Sequence, residues 1–200
     1  MFLRGTKNPW YWSADFDLGV NFCIWVLIVD GLHVPPFDRH PEGDGSLQGA
    51  GLEPESWRSW LTTVIARESA IKTEADLRAW IAEGAYNSAS LWSGRPAVGE
   101  RLAMLWQQYE PLASEWKQRN ADTLPPHLNP KEMRKLWSNL KPFQTRLPTL
   151  KVYLVDYSWV VSYLIPPVNL VLGTGNGMLN GASFSNSMLR AAEELARNPY

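Results

Sequence analysis

The 200-residue sequence predicts an α+β fold, a single domain over residues 1–200 in which a small mixed or antiparallel sheet packs against a layer of roughly five helices. Three observations carry this. Strand-like apolar runs lie early in the chain and again beyond residue 151, three-and-four-spaced apolar stripes fill the stretch between, and a last helical stripe closes the chain. Segregation of this kind favours α+β over a regularly alternating, doubly wound fold.

Residues 22–29 form a continuous apolar run with β-branched and aromatic members, closed by Asp30 and Gly31. That is the pattern of a central strand buried on both faces. Residues 31–51 hold three prolines and five glycines and read as a long irregular loop, a length unusual without a purpose. From Pro54, Trp57, Trp60, Leu61, Val64 and Ile65 form one helical stripe. Thr73 and Asp76 have capping-box spacing for a short helix carrying Leu77, Trp80 and Ile81, with Gly84 as its stop.

Val98, Leu102, Leu105, Trp106, Tyr109, Leu112 and Trp116 continue the spacing in a longer helix, which Pro111 should kink or divide. Asn129, Pro130 and Glu132 open a helix presenting Met133, Leu136, Trp137 and Leu140. Val152 to Tyr157 and Val160 to Ile165 then read as strands, with a short third from Val168 to Leu172. A glycine-rich loop over 173–181 leads into a terminal helix with Met188, Leu189, Ala192 and Leu195 on its apolar side.

Composition narrows the function classes. The formal net charge of -1 gives no global attraction to nucleic acid or to an anionic membrane. Neither of the two longest apolar stretches, 22–29 and 159–172, reaches the roughly 18 residues of a membrane helix. The amino-terminal residues lack the apolar core of a signal peptide, and the lone Cys23 sits in an apolar run, so a reducing, cytoplasmic location is expected.

Several constellations are candidates for chemistry. His33, Asp38 and His40 follow Asp30 in the first loop, and imidazole with carboxylate suits zinc, iron or manganese. Their spacing matches no metal motif, and a solvated proline-rich turn explains them more simply. Gly173, Gly175 and Gly177 stand between a strand and a helix, where backbone amides and a helix N-terminus can cradle a phosphate-like anion. Dinucleotide spacing fails there, because the third glycine falls on Met178 or Asn180 according to the starting point. Ser183 occupies the nucleophile position of a G-x-S-x-G elbow, but Ser185 replaces the last glycine, so helix capping is the simpler role for both serines. No motif specifies a cofactor.

The eleven tryptophans are mostly accounted for by helix stripes; Trp10 and Trp12 instead suggest an aromatic platform or a tail folded onto the sheet. Residues 30–56 carry six acids against Arg39, whereas 117–151 carry eight bases against Asp122 and Glu132. Trp137 and Phe143 interleave the bases as in single-strand binders, yet Trp137 already belongs to its helix stripe, so nucleic acid is not the expected partner. The leading expectation is a non-catalytic cytoplasmic protein that interacts with another protein or with copies of itself. The alternative is a small-molecule binder or enzyme that recognises an anionic group through the 173–181 loop.

Overall fold

A computed structural model describes residues 12–39, 47–71, 73–76, 79, 92, 94–120, 130–143, 150–159, 161–165, 169–175 and 179–197. Its contacts divide the chain into a unit of Met1–Asp15 with Asp122–Tyr200 and a unit of Phe16–Ala121. The fold is α+β: the described residues of the first unit hold a four-stranded sheet and two helices, and those of the second are mainly helical.

In the Phe16–Ala121 unit the expected strand over 22–29 is instead part of a helix, α1 (Leu18–Val29). Both ends of α1 explain the difference. Asp17 caps the start, its carboxylate accepting from the Val20 amide at 2.7 Å while its carbonyl accepts from the Asn21 side chain at 2.9 Å. Gly31, at φ 63, ends it: the Gly31 amide donates to the Ile28 carbonyl and the Leu32 amide to the Leu27 carbonyl, the paired bonds of a Schellman turn. Eight of its residues are buried, from Gly19 to Leu27. A helix enclosed on nearly every side has no polar face and therefore no helical period to read.

Helix α1 packs against α2 (Pro54–Ala70) and α3 (Pro96–Asn120). The predicted α2 stripe is the buried one, with Trp57, Trp60, Leu61, Val64 and Ile65 all inside. Phe22 of α1 is the hub of the aromatic core, edge-on to Trp60 at 5.7 Å and to Trp106 at 5.0 Å, and tilted against Tyr109 at 5.4 Å. Helix α3 runs through Pro111 without dividing, and the buried positions around it are Tyr109 before the proline and Ala113 and Trp116 after it. Leu112, expected inside, is 51% exposed because the spacing of four selects Ala113. The Thr73–Asp76 capping box is real, each side chain accepting from the other residue's amide. Leu77, Trp80, Ile81 and Gly84 of that segment lie outside the described residues.

In the other unit the strands are β1 (Trp12–Asp15), β2 (Leu150–Val155), β3 (Ser162–Ile165) and β4 (Asn169–Gly173), in the order β1-β2-β4-β3. β2 is parallel to β1 and to β4, and β3 is antiparallel to β4, so the sheet is mixed. Trp12 thus begins an edge strand, pairing with Leu150; Trp10 lies outside the described residues. Alternation puts Leu150, Val152, Leu154, Leu170 and Leu172 on one face. They form one core cluster with Leu136 and Leu140 of α4 (Pro130–Leu140) and with Phe184, Met188, Ala192 and Leu195 of α5 (Gly181–Arg197). Tyr153, Val155 and Val171, on the opposite face, are buried as well. Burial on both faces removes the polar alternation from β2 and β4, as in parallel sheets generally.

Candidate functional site

The 31–51 loop and the 173–181 loop belong to different units and stand as separate candidates. Asp30 ends α1 and stitches the unit together. Its carboxylate accepts from the Leu52 amide at 2.9 Å and from the Gly51 amide at 3.3 Å. A methyl group at Gly49 would overlap the Asp30 carboxylate, so this approach requires glycine. Burial pushes the Asp30 carboxyl above its ordinary value, and the amide bonds from Leu52, Gly51 and Ala50 offset only part of that push.

His33 is exposed, and its Nδ1–H donates to the Asp38 carbonyl at 3.1 Å, closing the proline turn. Asp38 is exposed too, and His40 lies outside the described residues. No group of three potential metal-ligating side chains forms among the described residues. Cys23 is fully buried, and its thiol is pushed well above the ordinary value by burial first and by the nearby Asp17 charge second, the opposite of what a nucleophile needs.

The second loop has more to offer. β4 ends at Gly173, and the Thr174 amide continues the ladder by donating to the Val155 carbonyl at 3.0 Å. Gly175 follows at φ 60, a conformation that glycine adopts at little cost. Gly177 lies outside the described residues. The chain returns at Leu179, whose amide donates to the Thr174 carbonyl at 2.9 Å, and α5 starts two residues later. Asn180 caps α5, its side chain accepting from the Ser183 amide at 3.0 Å and its carbonyl from the Phe184 amide at 2.9 Å. Ser183 is therefore the capped residue and not the cap, which corrects the role expected of it. The Gly181 and Ala182 amides occupy first-turn positions that have no acceptor within the helix.

Thr174 is the residue that sequence reasoning missed. It is fully buried and its Oγ1 has no hydrogen-bond partner. Thr174 directly follows β4, whose Leu170 and Leu172 belong to the core cluster with Phe184 and Met188, and the Thr174 carbonyl accepts from the Leu179 amide just before α5. A buried hydroxyl without a partner costs about 1–3 kcal/mol. The last β2–β4 pair is Val155 with Gly173, so Asp156 and Thr174 are the residues that follow it on the two chains. The asparagine three residues before Ser183 was a legible cap signal; the hydroxyl's isolation was not.

Elsewhere, Lys131, Arg134, Lys135 and Lys141 are exposed around α4, with the Arg134 Nε–H donating to the Pro130 carbonyl at 3.2 Å. Trp137 packs partly against the core cluster. No helix among the described residues is long and apolar enough to cross a membrane. Neither a family model, nor a curated protein, nor a solved structure matches this chain.

Proposed function

We propose that this chain binds a small oxyanion of the phosphate type where β4 turns into α5, and that it acts as a small-molecule-binding protein or as an enzyme on such a ligand. The fully buried, unpartnered Thr174 hydroxyl is the observation that carries the reading. Beside it stand two further supports, the left-handed Gly175 and the first-turn amides of α5. Together they supply a hydroxyl donor, a turn that can aim amides, and the positive end of a helix. On the sequence alone an interaction protein ranks first; the stranded hydroxyl reverses that order, because a ligand oxygen would satisfy it.

A thermal-shift series with phosphate tests the proposal. At a hundred times the dissociation constant, a ligand that binds only the folded chain stabilises it by about 2.7 kcal/mol. The wild type should respond, and Thr174→Val and Gly175→Ala should retain only the general salt effect that all three share. An identical response in all three proteins would contradict the assignment.

Interaction or assembly remains the second reading, supported by the exposed side of α3, where Met104 is 63% and Leu112 51% exposed. Sedimentation at rising concentration, with Met104→Glu and Leu112→Glu as controls, tests self-association. The buried lone cysteine supports a reducing, cytoplasmic setting.

A further inference from the structure

We infer that the outer face of α4 docks double-stranded nucleic acid through its phosphates, a binding activity separate from the oxyanion site. At 3.6 residues per turn, Lys131, Arg134, Lys135 and Ser138 fall within an arc of about 100°, opposite the buried Leu136 and Leu140. All four are exposed, and Lys141, exposed at the start of the 3-10 turn Lys141–Phe143, extends the row. The one acid of α4, Glu132, is half-buried at the edge of that arc. The net charge of -1 therefore conceals a local row of four cations spread over about 15 Å, at a rise of about 1.5 Å per residue. The Arg134 Nε–H donates to the Pro130 carbonyl at 3.2 Å, which orders the side chain while both terminal nitrogens keep their donors for phosphate oxygens.

What flanks these cations selects the form of nucleic acid. Single strands are held largely by nucleobases stacked on aromatic rings. The aromatic residues that interleave the cations, Trp137 and Phe143, pack instead against the core cluster that holds Leu136 and Leu140, and the Trp137 Nε1 is buried. A duplex needs no such ring, because its nucleobases are already stacked on one another. Over about 15 Å of its axis each strand of a duplex presents about four phosphates, one per roughly 3.4 Å. Four cations on one short helical face match that density. Contacts to phosphate carry no sequence information directly, so the binding is indifferent to sequence.

Fluorescence anisotropy of short labelled duplexes, titrated with the full chain between about 50 and 200 mM salt, tests the inference. The logarithm of the affinity should fall linearly with that of the salt concentration, with a slope of about −3 to −4 for four neutralised phosphates. Arg134→Gln and Lys135→Gln should each weaken binding equally on two unrelated sequences and bring the slope about one unit nearer zero. Arg58→Gln, at an exposed position of α2 in the other unit, should change neither quantity. The single strand of the same sequence should bind more weakly than the duplex. Absence of duplex binding at about 50 mM salt, a slope that neither α4 substitution alters, or tighter binding of the single strand overturns the inference. Self-association that the α4 substitutions abolish, without duplex binding, overturns it too and gives this face to a second copy of the chain.

Discussion

Replacing Trp57 and Trp60 separately by phenylalanine should give unequal losses of stability, although the two indoles are one helical turn apart on α2 and equally buried. The Trp57 Nε1–H donates to the Cys23 carbonyl at 2.7 Å, while the Trp60 Nε1 has no partner. Both substitutions remove a similar area from the same core, so the area terms nearly cancel in the comparison. What remains is the hydrogen bond. Losing a net-favourable bond costs Trp57→Phe about 0.5–1.5 kcal/mol, and removing an unpaired buried N–H relieves Trp60→Phe of about 1–3 kcal/mol. Trp57→Phe should therefore be the less stable variant by about 1.5–4.5 kcal/mol. Urea unfolding of both variants, followed by a signal from the Phe16–Ala121 unit, measures the gap without reference to the other unit. Equal losses, or a larger loss in Trp60→Phe, would refute the reasoning.

Trp60→Ala should cost about 3–5 kcal/mol in the same assay, with a loss under about 1 kcal/mol refuting its place in the core. Gly175→Ala should lower stability by about 1–2 kcal/mol with no ligand present, the penalty of a left-handed backbone at a residue with a Cβ; unchanged stability would contradict the φ of 60 seen there. Because burial raises the Asp30 pKa, the protonated form is the one that folding favours. The stability of the wild type relative to Asp30→Asn should thus be highest below the ordinary value of 3.8 and fall as pH rises through the elevated one; denaturation of both proteins across that window shows a rise instead if the sign is wrong. Asp156→Asn should tighten phosphate binding severalfold by removing a neighbouring negative charge, and weaker binding in that variant would move the anion elsewhere.

Residues differ in how openly the sequence displayed their roles, and the reason is environmental. The α2 stripe was legible because its opposite face is solvated, so the period of 3.6 survives in the pattern. α1 was misread as a strand because nearly all of it is buried, and only its ends, Asp17 and Gly31, kept a helical signature. Leu112 has the spacing of the apolar stripe that runs from Val98 to Trp116, whereas packing selects Ala113. The glycine loop was recognisable as a strand-to-helix turn. The approach of Trp159 to Gly173 joins residues that no local pattern links, and the isolation of the Thr174 hydroxyl is a property of the packed state alone.

The most direct test of the oxyanion site is an amide proton–nitrogen correlation spectrum of the labelled chain recorded during phosphate titration, with a chloride titration at matched ionic strength as the reference. The Thr174, Gly175, Gly181 and Ala182 amides should shift together along one saturating curve, and Thr174→Val should abolish that curve while the rest of its spectrum stays folded. Shifts confined to exposed lysines of α4, or none that saturate near the β4–α5 turn, would contradict the central claim.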